Sequence, residues 1–172
     1  VRFSPEFEFN RENFARVCRV RDSMEGVFAI AEFGCPDWHS SRAAKHLDSA
    51  RIGFACVDGG RSLEEKTFFC ATGGLAYVRF QGRNQSRWLK GDGAEEHNYL
   101  YSRAELAAAV PEIRRLEQES ERVLVFMNNP WRGQAVINAR MLIKEIANHE
   151  LQINKVTAMD FNPNGRTFTG YF

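Results

Sequence analysis

The chain has 172 residues, of which 44% are hydrophobic and 26% are charged, a composition typical of a globular protein with one substantial core. Its 23 basic and 22 acidic residues leave a formal net charge of +1, which excludes a global field that would draw the protein onto nucleic acid or an anionic membrane. Any binding of an anion must therefore depend on a local site.

Short apolar runs alternate with longer amphipathic segments along the whole chain. A strand end at the N-terminus is followed by a predicted helix over residues 10–24, with Phe14, Val17, Cys18 and Arg21 along one face. Four strands are then predicted, at Val27–Phe33, Ile52–Val57, Leu75–Phe80 and Val123–Met127. Their nearly continuous apolar character is typical of parallel strands covered on both faces, so the chain is predicted to be an α/β protein with a parallel sheet.

Two later helices carry clear signals. Ser102 and Glu105 form a Ser-x-x-Glu capping box, which predicts a helix that starts there. Pro111 lies inside this helix, and because an interior proline costs about 3 kcal/mol, we expect either a kink or a second helix that begins at Pro111. Residues 131–148 form the best amphipathic pattern and should pack on the sheet, whereas residues 61–74 are too short and mixed to predict a crossover helix.

These elements make four complete βα units. An eight-stranded (β/α) barrel, the TIM-barrel fold, needs about 250 residues, so residues 1–150 are predicted to be about half of such a barrel. Residues 151–172 are predicted to be a C-terminal extension with a turn at Asn162–Gly165 that would join two strands. Since the chain begins at Val1, within an extended-looking apolar stretch, we expect that an upstream segment has been removed.

Four stretches occur in an order and spacing that resemble one protein family. They are Ala31-Glu32-Phe33-Gly34-Cys35-Pro36-Asp37-Trp38, Tyr77-Val78-Arg79-Phe80-Gln81-Gly82-Arg83, Tyr99-Leu100-Tyr101-Ser102 and Val125-Phe126-Met127-Asn128-Asn129-Pro130-Trp131-Arg132-Gly133-Gln134-Ala135-Val136. Together they resemble the YecE-like family, domain of unknown function 72, from the end of its fourth strand onward. This chain departs from the family at Gly34-Cys35, where relatives commonly have Arg-His, and at Gln81, where they have His.

The resemblance implies a TIM-barrel-like fold of which this chain supplies the C-terminal half. A half-barrel leaves two unpaired parallel edges. We therefore expect a protein partner, a second copy of the chain or the missing N-terminal half to close the sheet.

In such a barrel the working face lies at the carboxyl ends of the strands. Glu32, Asp58 and Arg79 stand at three of these ends, where a carboxylate could act as acid or base and a guanidinium could orient an anion. The alternative is a structural ion pair, because buried charges must pair whether or not they take part in chemistry. We expect Glu32 and Arg79 to pair inside the barrel.

Two glycine–arginine pairs, Gly82-Arg83 and Arg132-Gly133, follow the last two strands. Barrels often bind phosphate in the corresponding loops through glycine N–H groups and a helix N-terminus, so we expect Arg83 and Arg132 to converge on one anion site. Alternatively, the glycines only permit tight turns and the arginines are solvated.

Three other residues are candidates for ligand binding at this end of the strands. Asn128 and Asn129 precede a proline and would either bind ligand or tie the loop down. Trp38 could stack on a sugar or base, although aromatic residues more often pack in a core.

The sequence predicts no metal and no cofactor. The four histidines are dispersed, with no i,i+4 pair. Cys18, Cys35, Cys56 and Cys70 lie too far apart along the chain for a zinc or redox motif, which favours free thiols in a reducing cytoplasm. No apolar run is long enough to span a bilayer, and we expect no membrane association.

Three functions are compatible with these patterns. The first is binding of a small phosphate-bearing or other anionic ligand at the barrel mouth without a metal, and the residues leave open whether a reaction follows. The second is a non-catalytic, barrel-derived subunit of a larger assembly. The third is nucleic-acid binding, for which only Arg79, Arg83, Arg87 and Trp88 make a modest basic stripe.

Overall fold

The computed structural model describes residues 1–59, 66–84 and 97–160, with side chains as far as residue 150. Five parallel strands form one sheet in the order β1-β2-β3-β4-β5. They are β1 (Arg2–Phe3), β2 (Ile30–Phe33), β3 (Gly53–Gly59), β4 (Leu75–Gly82) and β5 (Arg122–Met127). Strands of a (β/α) barrel also follow one another in chain order, whereas a doubly wound sheet reverses direction, so the topology is TIM-barrel-like.

Within the described residues, four α-helices connect or follow the strands: α1 (Arg11–Asp22), α2 (Ser41–Ser49), α3 (Arg103–Glu119) and α4 (Gln134–Asp160). Short 3₁₀ turns at Pro36–Trp38 and Trp131–Gly133 precede α2 and α4. The predicted strands and the starts of the predicted helices are therefore confirmed within a few residues. In residues 66–74, the described part of the β3–β4 connection, there is no helix.

The capping box of α3 is present, with Ser102 and Glu105 each bonded to the backbone of the other. The helix then continues through Pro111, so of the two expected alternatives, a kink or a second helix that begins at Pro111, the second is wrong. Val110 and Ile113 are buried on either side of the proline, and their packing on the sheet offsets the hydrogen bond that it removes.

Helix α4 extends twelve residues beyond the predicted end at Asn148, as far as Asp160. The prediction of a strand within residues 151–160 is therefore wrong. The predicted turn at Asn162–Gly165 lies outside the described residues.

The core lies between one face of the sheet and the four helices. Its strand residues include Phe33, Phe54, Cys56, Val78 and Phe80, and its helix residues include Val17, Leu47, Leu106, Val110, Leu116 and Leu142. The opposite face differs, because its apolar side chains are mostly half-buried and Phe126 is 46% exposed. The strands were predicted to be covered on both faces of the sheet. The described helices cover one face only.

In the part of the chain that the structure describes, no helix has the length and apolar character needed to cross a membrane.

Candidate functional site

The polar strand ends lie side by side, as expected for a parallel sheet. Glu32 ends β2 beside Arg2 of β1, and Arg79 and Gln81 lie near the end of β4. These four residues face away from the helices. Asp58 of β3 alternates to the other face and is buried at 3% exposure. The site therefore has two parts, one on each face of the sheet.

The first part is the Glu32 cluster, made by Arg2, Glu32, Arg79 and Gln81. Arg79 Nη2 lies 2.6 Å from Glu32 Oε2 and donates to Gln81 Oε1 at 2.7 Å. Arg2 Nε lies 3.3 Å from the other Glu32 oxygen. The expected Glu32–Arg79 pair is thus present, and two guanidinium groups share one carboxylate.

Three members of the Glu32 cluster, Arg2, Glu32 and Gln81, line a cavity of about 680 Å³, here called the mouth cavity. Arg79 adjoins it through its contacts with Glu32 and Gln81. Polar residues in its wall are Arg2, Ser4, Glu32, His39, Lys66, Thr67 and Gln81, and several of its apolar residues are phenylalanines. A cavity of this size can hold a small-molecule ligand. His39 is held in the wall by a 3.0 Å contact between its Nε2 and the carbonyl oxygen of Phe33.

The second part is the Asp58 network, made by Asp58, Thr67, Arg83 and Tyr101. Arg83 donates through Nε to Asp58 Oδ1 at 2.9 Å and through Nη2 to Oδ2 at 2.7 Å, a bidentate pair. Tyr101 donates to Oδ1 at 2.9 Å and Thr67 to Oδ2 at 3.0 Å. Since a carboxylate accepts about four hydrogen bonds, Asp58 is saturated within the chain and fits the structural alternative.

Glu105 brings a second carboxylate to Arg83, with Oε1 3.4 Å from Nη1. Burial opposes ionisation of Glu105, but hydrogen bonds from Tyr99 and Ser102 and the charge of Arg83 outweigh it and lower the pKa of Glu105. Burial and the bond to Glu105 raise the pKa of Tyr99 to about 12. For Tyr101, burial and then the charge of Asp58 also raise the pKa.

The candidate phosphate loops are occupied by internal contacts. The N–H of Gly82 donates to Tyr101 Oη at 2.8 Å, and that of Gly133 donates to the carbonyl oxygen of Pro130 at 3.1 Å. Arg132 is exposed, with its guanidinium 5.5 Å from the centre of the Trp131 ring. The convergence of Arg83 and Arg132 on one anion stays a prediction.

The two asparagines after β5 differ in their surroundings. Asn129 is fully buried, and its Nδ2 donates to the Tyr99 carbonyl oxygen and to Asn138 Oδ1, each at 2.7 Å. Its own Oδ1 is buried without a partner among the described residues. Asn128 is half-buried, and its N–H donates to the Phe80 carbonyl oxygen at 2.7 Å. Asn129 thus ties the loop to its neighbours, which is one of the two roles considered for it, the other being ligand binding.

Trp38 does not lie at the mouth. Its side chain is fully buried, stacked on Phe33 at 3.9 Å between ring centres, and its indole N–H donates to the carbonyl oxygen of Phe7. The prediction that Trp38 could stack on a ligand is therefore wrong, because the core covers its ring. Arg87 and Trp88 lie outside the described residues.

Several residues of the site carry weak sequence signals. Tyr101, Thr67, Glu105 and Arg2 were not predicted as site residues, although Tyr101 belongs to a stretch that resembles the family. An arginine in the first strand is the clearest signal that could have been used. Among the described residues no group of three or more His, Cys, Asp or Glu side chains is placed to hold a metal ion.

Comparison with known proteins places this architecture in a family. The family model described as "Protein of unknown function DUF72" matches residues 1–160. UPF0759 protein YunF of Bacillus subtilis (strain 168) is 23% identical in an alignment of 158 positions that covers 83% of this chain and 55% of YunF.

Solved structures agree. A DUF72 family protein from Thermotoga maritima is 31% identical with a TM-score of 0.73, over 85% of this chain and 56% of that protein. One from Enterococcus faecalis is 24% identical with a TM-score of 0.71, over 86% and 57%. The chain thus spans little more than half the length of these relatives. It belongs to the DUF72 family, which is the same family as the YecE-like one.

Proposed function

We propose that the chain binds a small phosphate-bearing or other anionic ligand in the mouth cavity, with protein cations rather than a metal as the counter-charge. The single observation that carries the proposal is the charge of the Glu32 cluster. Arg2 and Arg79 both pair with Glu32, so two positive charges meet one negative charge. An anion in the cavity would compensate the remaining charge.

An unused hydrogen-bond donor supports the same site. Arg79 Nε is buried and has no partner among the described residues. A buried N–H without a partner costs free energy, and an anion or a bound water that accepts from it would recover that cost. Lys66, exposed at the rim of the cavity, adds a further cation.

The region around Arg83 supports an anion less well. A second cavity, of about 610 Å³, is lined there by three carboxylates, Asp58, Glu105 and Glu112, and by two cations, Lys66 and Arg83. Asp58, through its hydrogen bonds and charge, also raises the pKa of Arg83, which reflects how fully that guanidinium is engaged. We therefore propose that the ligand binds at the Glu32 cluster rather than between Arg83 and Arg132.

A reaction in the mouth cavity would use the same residues. Glu32 is 13% exposed and is the carboxylate in the cavity wall, so it is the candidate acid or base. Arg79 would orient the anionic group of the substrate. Asp58 and Arg83 would act on the site from the other face of the sheet, as positioning residues.

Thermal-shift titration with phosphate, sulfate and nucleoside monophosphates tests the proposal. Stabilisation should grow with ligand concentration, because a ligand that binds the folded state raises its stability by RT ln(1 + [L]/Kd). The shift should vanish in Arg2→Gln/Arg79→Gln and persist in Arg140→Gln, a matched exposed arginine on α4. Loss of the shift only in Arg83→Ala/Arg132→Ala would place the ligand in the other loops, and no shift with any anion would contradict anion binding.

The exposed face of the sheet favours a second candidate, a barrel-derived subunit of a larger assembly. Phe126 is 46% exposed and stacks on Tyr77 at 4.9 Å, and the half-buried Val57 and Leu124 lie on the same face. We infer that further strands cover this face, supplied by an N-terminal segment, a second copy or another chain. The greater length of the relatives supports this inference.

Light scattering tests whether a second copy is the partner. If it is, the chain should be dimeric, and Phe126→Asp should make it monomeric. Val136→Asp, at an exposed apolar position on α4, should leave the dimer intact. A monomeric wild-type chain would exclude a second copy and leave a different strand-bearing segment as the candidate.

A further inference from the structure

Two cysteines that are 14 positions apart in sequence lie next to each other on the helix-covered face of the sheet. Cys56 lies in β3 with its side chain fully buried on the helix side, and Cys70 is half-buried in the connection to β4. Cys56 Sγ accepts the N–H of Cys70 at 3.3 Å and lies 3.3 Å from the Cys70 carbonyl oxygen. Cys56 Sγ therefore packs directly against the backbone of Cys70. Their spacing in sequence gave no sign of this contact.

The surroundings make the two thiols unequal. The hydrogen bond from the Cys70 thiol lowers the pKa of Cys56, and although burial opposes this effect, the Cys70 N–H and the charge of Arg115 add to it. Arg115 is held nearby because its Nη2 donates to the carbonyl oxygen of Phe69 at 3.0 Å. For Cys70, the hydrogen bond to Cys56 and then burial raise the pKa. Such a pair offers one thiolate, the nucleophilic form, beside one thiol.

We propose that Cys56 and Cys70 are a site of reversible oxidation, at which hydrogen peroxide converts the two thiols into an intrachain disulfide. Cys70 at the edge of the core is partly exposed, and peroxide is small enough to pass it and reach the buried Cys56. No element needs to unfold for the two sulfur atoms to meet, because Cys56 Sγ already contacts the backbone of Cys70.

The chemistry has two steps. The thiolate sulfur of Cys56 attacks one oxygen of hydrogen peroxide, the O–O bond breaks, and hydroxide leaves and takes up a proton to become water. Cys56 is then a sulfenic acid. The sulfur of Cys70 attacks that sulfur, the S–O bond breaks, and the hydroxyl group leaves as water with the proton of the Cys70 thiol. Overall, the two cysteines are oxidised by two electrons, and peroxide is reduced to two waters.

The disulfide would act on the Asp58 network. Thr67, three residues before Cys70, donates to Asp58 Oδ2, and the two cavities described above share Lys66, Thr67 and Phe68 in their walls. A covalent bond from Cys70 to β3 would fix this segment against the sheet. The inference does not depend on the nature of any ligand in the mouth cavity.

Mass spectrometry of the full chain tests the proposal. In a Cys18→Ser/Cys35→Ser background, graded hydrogen peroxide should remove about 2 Da from the intact mass, and dithiothreitol should restore it. Trypsin cleaves after Arg51, Arg61, Lys66 and Arg79, so a single linked product of residues 52–61 and 67–79 is expected. Adding Cys70→Ser to the same background should abolish both the mass loss and the linked peptide.

Three results would overturn the proposal: oxygen adducts on single cysteines without the linked peptide, disulfide-linked dimers in its place, or no change with excess peroxide. If the Cys18→Ser/Cys35→Ser chain fails to fold, the same peptide mapping is done on the wild-type chain. There the linked peptide identifies the pair, and a Cys18–Cys35 link or any other pairing contradicts it.

Discussion

The hydroxyl of Tyr101 donates to Asp58 Oδ1 at 2.9 Å and accepts the N–H of Gly82 at 2.8 Å. One buried phenol thus joins the ends of β3 and β4 to the segment that precedes α3. Because Asp58 also binds Arg83 and Thr67, this contact fixes the wall shared by the two cavities.

Tyr101→Phe is the direct test of this contact. The change keeps the ring but leaves the Gly82 N–H without its acceptor and Asp58 without one donor. We expect the free energy of unfolding to fall by about 1–3 kcal/mol, measured by urea denaturation followed by circular dichroism. Tyr77→Phe is the matched control, since the Tyr77 ring is only half-buried and stacks on the exposed Phe126. Equal losses in the two variants would show that the Tyr101 hydroxyl contributes nothing specific.

Stability should fall at alkaline pH because of Tyr99 and Tyr101. The pKa of Tyr99 is raised to about 12, and that of Tyr101 is also raised, whereas an unfolded tyrosine titrates near about 10. The folded state therefore keeps protons that the unfolded state loses, and stability, complete below pH 10, decreases as pH rises toward 12. Melting temperatures between pH 8 and 11.5 should show this decline, and Tyr99→Phe/Tyr101→Phe should flatten it. An equally steep decline in the double variant would assign the effect to other groups.

The strands and most of the site's location could be predicted from sequence, because both depend on local patterns. Continuous apolar runs identified four strands, and the parallel arrangement brought Glu32 and Arg79 together. The long-range contacts could not be predicted. Tyr101 reaches Asp58 only because the segment before α3 passes over the ends of β3 and β4.

Two other residues show the same limit. Cys70 meets Cys56 because residues 66–74 run back along β3, where Thr72 Oγ1 accepts the Phe54 N–H at 2.7 Å. Trp38 follows a strand end and was assigned to the mouth, but a 3₁₀ turn at Pro36–Trp38 directs its ring into the core. Distance along the chain from a strand end does not determine which layer a side chain enters.

Asn138 on α4 should be as important for stability as the apolar core around it. Its Oδ1 accepts the Tyr101 N–H at 3.1 Å and its Nδ2 donates to the Tyr101 carbonyl oxygen at 2.8 Å, so the side chain pairs with the backbone as a strand would. Oδ1 also accepts from Asn129. Asn138→Leu leaves these buried groups without partners, and we expect a loss of about 3 kcal/mol in the free energy of unfolding.

Asn148→Leu, near the C-terminal end of the described side chains of the same helix, is the control for the Asn138 experiment. Asn148 is half-buried and makes no side-chain hydrogen bond among the described contacts. Its substitution should change stability by less than about 1 kcal/mol. A similarly small effect of Asn138→Leu would contradict the role assigned to the amide.

Gly59 provides a test of how closely β3 and β4 approach at the site. Its φ is +100°, and a Cβ placed there would lie 2.1 Å from the carbonyl oxygen of Gly82. The obstacle is backbone, so it cannot rotate away. Gly26 has φ +72° with open space around it, and Gly26→Ala should cost only the conformational penalty of about 1–2 kcal/mol. Gly59→Ala should cost at least about 2 kcal/mol more, because it forces the two strands apart.

Since Gly82 also donates to Tyr101, the same variant should weaken the effect of Tyr101→Phe when the two are combined. Equal costs for Gly59→Ala and Gly26→Ala would mean that β3 and β4 are not in contact at Gly59, and the geometry of the Asp58 network would then be wrong as well.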